Sequence, residues 1–154
     1  MTLVTRNELI LLVEDNNEDF ETTKRALRKA GLRNNLRRCE DGDEALDYLR
    51  RSGKYADPKT SPRPGIILLD LNLPGTDGRE VLREIKTDKR LRTIPVIVLT
   101  TSDDERDVQY CYNSGANSYL HKQVDLTGFY AAIQRLKDYW FEIVILPREE
   151  ESTP

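Results

Sequence analysis

Histidine and cysteine are nearly absent from this chain. His121 is the only histidine, and Cys39 and Cys111 are the only cysteines in 154 residues. Two thiols and one imidazole cannot furnish a standard four-ligand structural zinc site. Two cysteines with no local motif fit free thiols in a reducing compartment rather than a disulfide framework. Long apolar runs are missing too. None approaches the roughly 20 residues that a membrane-spanning helix needs. The first, Leu9 to Val13, is followed at once by Glu14 and Asp15, which argues against a signal peptide. Neither sign of charge dominates: 24 basic side chains face 27 acidic ones, a net charge of -3. There is no global basic footprint for nucleic acid. With 33% charged residues, a cytoplasmic protein is expected, with no membrane association. Repeats are absent, and the one low-complexity tract is the acidic Glu149-Glu150-Glu151.

What is present is a set of short apolar runs that each end in a polar group. Leu9 to Val13 ends in Glu14-Asp15, Ile66 to Leu69 in Asp70, and Val96 to Leu99 in Thr100-Thr101-Ser102. Runs of this length, rich in Ile, Leu and Val, read as strands buried on both faces. Leu36 to Cys39 gives a weaker strand, and Ser118 to His121 a fifth, closed by Lys122. Between them lie stretches with helical spacing. Phe20, Thr23, Leu27 and Ala30 follow the capping candidates Asn16, Asn17 and Asp19, with Gly31 as a stop. Ala45, Leu46 and Leu49 follow Asp41-Gly42, and Val81, Leu82 and Ile85 follow Asp77-Gly78. A short helix capped by Asp103 or Asp104 runs to Asn113. A last amphipathic helix carries Phe129, Tyr130, Ile133, Leu136 and Trp140. Ser52 to Pro64, with one Gly and three Pro, reads as a surface loop. Strand and helix alternating five times predicts one α/β domain: a five-stranded parallel sheet with helices on both faces and right-handed crossovers.

In open parallel sheets, sites form at the carboxyl ends of the strands. Those ends carry Glu14, Asp15, Asp70, Thr100 and Lys122. Each has an ordinary reading. Asp70 can accept backbone hydrogen bonds before Pro74-Gly75, Glu14-Asp15 can cap a helix, Thr100 can be structural and Lys122 can be a solvated strand end. Together they say more. Carboxylates about 4 Å apart repel by on the order of 1 kcal/mol per pair in water and several times that near a protein surface. Such a cluster persists with a cation or with raised pKa values. Oxygen ligands suit Mg2+, which keeps several of its waters. With Lys122 as a compact positive charge and Thr100 as a hydroxyl donor, the set can bind a phosphoryl group on Asp70, since a carboxylate can act as nucleophile to phosphorus.

These residues resemble the receiver domain of two-component response regulators. The resemblance is carried by Glu14-Asp15, by Leu68-Leu69-Asp70-Leu71-Asn72-Leu73-Pro74 and by Asp77-Gly78. Leu99-Thr100-Thr101-Ser102, Gly115-Ala116 and Tyr119-Leu120-His121-Lys122 complete it. It implies a flavodoxin-like receiver domain over 9–141, preceded by a flexible 1–8 and followed by an extended tail, 142–154, apolar and then acidic. It also implies that Asp70 accepts a phosphoryl group from a sensor histidine kinase. Glu14, Asp15, Asp70 and the backbone carbonyl of Asn72 would hold Mg2+ (or Mn2+), Glu14 mainly through metal-bound water. Lys122 would pair with phosphoryl oxygens. Thr100, beside Thr101, would reorient toward the phosphoryl group and Tyr119 would move with it. Asn72 and Ser102 stand where the family tunes phosphoryl lifetime. One departure from the pattern is Gln123 after Lys122, where receivers usually carry proline.

A narrower resemblance is to the response regulators that partner cyanobacterial phytochromes. It rests on Leu68 to Pro74, on Gly78-Arg79-Glu80-Val81-Leu82 and on the tail from Tyr139 to Pro147. It implies a phytochrome kinase as phosphodonor. About a dozen residues follow Trp140, so output is expected through protein contact and not through a fused DNA-binding domain. An apolar tail of this kind marks a contact surface. The expectation is a homodimer involving Tyr119, Trp140, Phe141, Ile143, Val144, Ile145 and Leu146, with folding back over the chain's own helices as the alternative. Two other functions stay open. An aspartyl-phosphate phosphohydrolase would carry a second aspartate two residues after the first, where this chain has Asn72. A receiver-shaped module that is never phosphorylated has no reason to keep the repulsive acid cluster. A signalling protein that acts only on its own aspartate is therefore expected, not a metabolic enzyme.

Overall fold

The computed structural model describes residues 8–122 and 125–147. The expected flexible start (apart from Glu8), the acidic end and Gln123 lie outside these residues. Five parallel strands form one sheet: β1 Ile10–Val13, β2 Leu36–Cys39, β3 Ile66–Leu69, β4 Val96–Thr100 and β5 Ser118–His121. They lie in the order β2-β1-β3-β4-β5. Five helices connect and cover them: α1 Asn17–Lys29, α2 Gly42–Arg50, α3 Gly78–Thr87, α4 Glu105–Asn113 and α5 Leu126–Lys137. This is the expected flavodoxin-like fold.

Side chains alternate across the sheet and so build two cores. Leu11, Val13, Ile67, Leu69, Val96 and Val98 face α2, α3 and α4, meeting Ala45, Leu46, Leu49, Val81, Leu82, Ile85 and Cys111. Ile10, Leu12, Ile66, Leu68, Ile97 and Leu99 face α1 and α5, meeting Ala26, Leu27, Phe129, Ile133 and Leu136. Apolar residues on both faces of one strand are what a parallel sheet under two helical layers requires.

Each helix starts on a short acceptor. Asn16, Asp41, Asp77, Asp104 and Asp125 each take a backbone N–H of the first turn, satisfying donors the helix cannot. Gly31 and Gly115, at φ of 94° and 103°, close α1 and α4 in the left-handed conformation. The following amides of Leu32 and Ala116 reach back to the carbonyls of Leu27 and Cys111.

Two expectations need correction. The loop from Ser52 to Pro64 is not wholly a surface segment: Tyr55 and Ser61 are buried. Tyr55 meets the Tyr48 ring edge-on at 5.2 Å and donates to Glu44. The tail does not start extended at 142. A wide helical turn, Asp138–Ile143, continues α5 and closes with the Val144 amide on the Tyr139 carbonyl. That turn inserts Phe141 into the α1/α5 core, and Leu146 is buried as well. Both were expected on a partner-contact surface; they fold back because burying a large apolar side chain removes about 1.5–3 kcal/mol of unfavourable exposure. Trp140 and Val144 are half-buried, while Ile143 and Ile145 stay 68% and 69% exposed.

Candidate functional site

The chain order reverses between β1 and β3, where β2 lies to one side and β4 and β5 to the other. A crevice opens above such a point in this class of sheet. Register fills it. Val13 pairs with Leu69, so the next residues, Glu14 and Asp70, leave the sheet side by side. Leu69 pairs with Val98 and Thr100 with His121, which brings Thr100 and Lys122 to the same edge.

The geometry is that of a buried cation among acids. Lys122 Nζ donates to Glu14 Oε1, to Asp70 Oδ2 at 3.1 Å and to Asp19 Oδ2 at 3.1 Å. Glu14, Asp70 and Lys122 are each less than a tenth exposed, while Asp15 is open to solvent. Carboxylate oxygens of Glu14, Asp15 and Asp70 lie within 4.8 Å of one another. Burial, and then the Asp70 charge, push the Glu14 carboxyl up to about 7 against the pull of Lys122. Burial alone would lower the Lys122 ammonium, but Glu14, Asp70 and Asp19 outweigh it and raise it further. One ammonium thus serves more carboxylate than it can neutralise. The oxygen donors, one of them exposed, fit a hard divalent cation.

The other expected residues sit as follows. The Asn72 amide donates to Asp70 Oδ1 at 3.3 Å, and its side chain is exposed. Thr100 is fully buried, and its hydroxyl takes the Ser102 amide at 3.4 Å. No hydrogen bond joins it to Asp70 among the described residues. Thr101 is exposed, with its carbonyl 2.9 Å from His121 Nε2. The Ser102 hydroxyl donates to Asp107, and its carbonyl accepts the Tyr119 hydroxyl at 2.8 Å. An open cleft lined by Asp19, Thr22, Thr101, Lys122, Leu126 and Phe129 leads to the site.

Sequence reasoning missed two participants. Asp19, by sequence a capping candidate, is carried onto Lys122 by the first turn of α1. Arg38, on β2, donates to the carbonyls of Glu14 and Asp15 at 3.0 and 3.2 Å and lies over the Phe20 ring. It pins the acidic loop by its backbone. The spacing of Asp19 after Glu14 was a usable signal; for Arg38 there was none without the sheet order.

A parallel five-stranded sheet with this acid, lysine and threonine set defines a class, and family comparison agrees: the response regulator receiver domain matches residues 10–134. The chain belongs to that family. Response regulator Rcp1 of Synechocystis sp. is 43% identical over 140 residues, 91% of this chain and 93% of Rcp1. The crystal structure of the phosphorylated cyanobacterial phytochrome response regulator RcpA matches with a TM-score of 0.86 at 40% identity, covering 92% of this chain and 99% of that one. The Mn2+-bound form of Rcp1 matches at 0.85 and 42%, with the same coverage.

Proposed function

We propose that this chain is a phosphorelay response regulator that takes a phosphoryl group on Asp70 from a phytochrome-type sensor histidine kinase. The observation that carries the reading is the Lys122 ammonium held between Asp70 and Glu14 at the sheet's switch point. Likeness to the phytochrome response regulator RcpA along 92% of this chain supports the choice of kinase. The phosphoryl group passes from a phosphohistidine nitrogen of the kinase to a carboxylate oxygen of Asp70. The P–N bond breaks as the P–O bond forms, and the histidine ring keeps the electron pair and takes up a proton. Lys122 offsets charge on the phosphoryl oxygens, which converts part of its interaction with Asp19 and Glu14 into one with the new group. Asp15, Asp70 and the Asn72 carbonyl, with Glu14 mainly through metal-bound water, would hold Mg2+ (or Mn2+), which would supply positive charge for the anionic phosphoryl oxygens. Thr100 turns its hydroxyl from Ser102 toward the phosphoryl group. Asn72 and Ser102 set the access of hydrolytic water. The chain then signals by protein contact in the cytoplasm, with Trp140, Ile143, Val144 and Ile145 on a surface used for self-association; Tyr119, expected beside them, packs instead against the α2/α3/α4 core.

The test is phosphotransfer. A phytochrome histidine kinase labelled with radioactive ATP is mixed with this chain, in wild-type form and as Asp70→Asn. Label moving to the wild type within minutes, and not to the variant, is the expected result. A kinase that keeps its label in the presence of folded wild-type protein contradicts the proposal.

A further inference from the structure

Beyond the acid cluster, one polar network joins the two loops that flank it. Arg79, the second residue of α3, uses its whole guanidinium. Its Nε and one Nη donate to the two carboxylate oxygens of Asp107 at 2.7 and 2.8 Å. Its other Nη donates to both oxygens of Asp77, at 2.9 Å each. Asp77 is the cap of α3, just beyond the Asp70 loop. Asp107 lies in the first turn of α4 and accepts the Ser102 hydroxyl at 2.6 Å. Ser102 is a junction: its hydroxyl goes to Asp107, its carbonyl takes the Tyr119 hydroxyl at 2.8 Å, and its amide meets the Thr100 hydroxyl at 3.4 Å. An exposed ion pair contributes little, but this one is bidentate, and the Asp107 side chain is only 19% exposed. Such planar fork-to-carboxylate pairs are the strong, orientation-specific kind. Hydrogen bonds from Arg79 and then Ser102 hold the Asp107 carboxyl down at about 2.

The two arms of the junction differ in strength. Tyr119 is held by a short bond, and it packs inward against the core beside Val98 and Cys111. Thr100 is held only by a long, weak one. The loop is therefore set with the tyrosine in place and the threonine hydroxyl loosely tied, ready to turn toward Asp70. We propose that Arg79 and Asp107 are positioning residues that clamp Ser102 in this arrangement, and so keep Tyr119 inward while the Thr100 hydroxyl is free to turn to a phosphoryl group on Asp70. This rests on Asp70 being the phosphoryl acceptor. A ligand shifts such an equilibrium only by its differential affinity for the two states, and a residue that pre-sets the favoured state raises the ligand's apparent affinity.

The test uses the full chain with 3-fluorotyrosine incorporated, the Tyr119 fluorine resonance being assigned with Tyr119→Phe. Wild type, Arg79→Met, Asp107→Asn and the double variant are titrated with beryllium fluoride in Mg2+. The single variants should move the Tyr119 resonance toward its solvent-exposed position and weaken beryllium fluoride binding by at least about fivefold. The double variant should be no worse than either single one. An unmoved Tyr119 resonance in folded Asp107→Asn, whose side chain keeps its shape, overturns the clamp; so does full additivity in the double variant. If wild type binds no beryllium fluoride, the reading of Asp70 fails instead, and the fluorine resonance alone decides whether the clamp exists.

Discussion

Lys122 is the residue on which the acid cluster depends. Its ammonium meets the buried Glu14 and Asp70 and the more exposed Asp19, and removing one partner of a buried charge pair leaves the others uncompensated. Asp107 shows the same dependence in a form that pH can read. Its carboxyl lies at about 2, held there by Arg79, Ser102 and more weakly by Arg106, below the ordinary aspartate value near 4. A depressed folded-state value means that the native state holds fewer protons than the unfolded state between those limits. The stabilisation is therefore complete above about pH 5 and falls away as pH drops from about 4 toward 2. Denaturant midpoints of wild type and Asp107→Asn should differ by a constant amount from pH 8 to 5 and converge below 4. A gap that stays constant down to pH 3 contradicts the pairing.

Elements place these residues by close backbone contact. The start of α3 rests on the end of β3: a Cβ on Gly78 would lie 2.2 Å from the Asp70 carbonyl oxygen and 2.5 Å from the Leu71 Cα. Neither neighbour is a side chain that can swing aside. Gly78→Ala should cost about 3 kcal/mol or more and, by displacing the Asp70 peptide, should slow phosphoryl uptake; thermal unfolding and labelling rate measure the two. A stable, fully active Gly78→Ala protein would show that α3 does not position Asp70. Much of this scale was legible in the sequence. Short apolar runs ending in polar residues, separated by capped amphipathic stretches, fix sheet, order of elements and which residues share an edge. The ion pairs were not legible, because Arg79 meets Asp107 and Arg38 meets the acidic loop only after helices and strands distant in sequence have packed. Which tail residues point inward was equally hidden. The wide turn at Asp138–Ile143 shifts the helical phase, and a run such as Ile143-Val144-Ile145-Leu146 is apolar on every side.

The whole molecule spends its tail in two ways. Phe141 enters the α1/α5 core and Leu146 is buried, while Ile143 and Ile145 face solvent. Phe141→Ala should therefore lower stability by about 3–5 kcal/mol. Ile143→Ser combined with Ile145→Ser should stay within about 0.5 kcal/mol per site yet reduce self-association, as light scattering at tens of micromolar reports. A wild-type protein that is monomeric there removes the dimer from the account. Among the described residues no helix is long and apolar enough to cross a membrane. Two covered faces and one acidic edge leave the strand ends as the place where chemistry enters and the tail side as a place where contact can leave.

The most direct measurement is intact mass after acetyl phosphate is added, with and without Mg2+, on wild type and on Asp70→Asn. Wild type should gain one phosphoryl group only with Mg2+ present, and Asp70→Asn should gain none. A folded wild type that gains no phosphoryl group, or a variant that gains one as readily, contradicts the central claim that Asp70 is the acceptor.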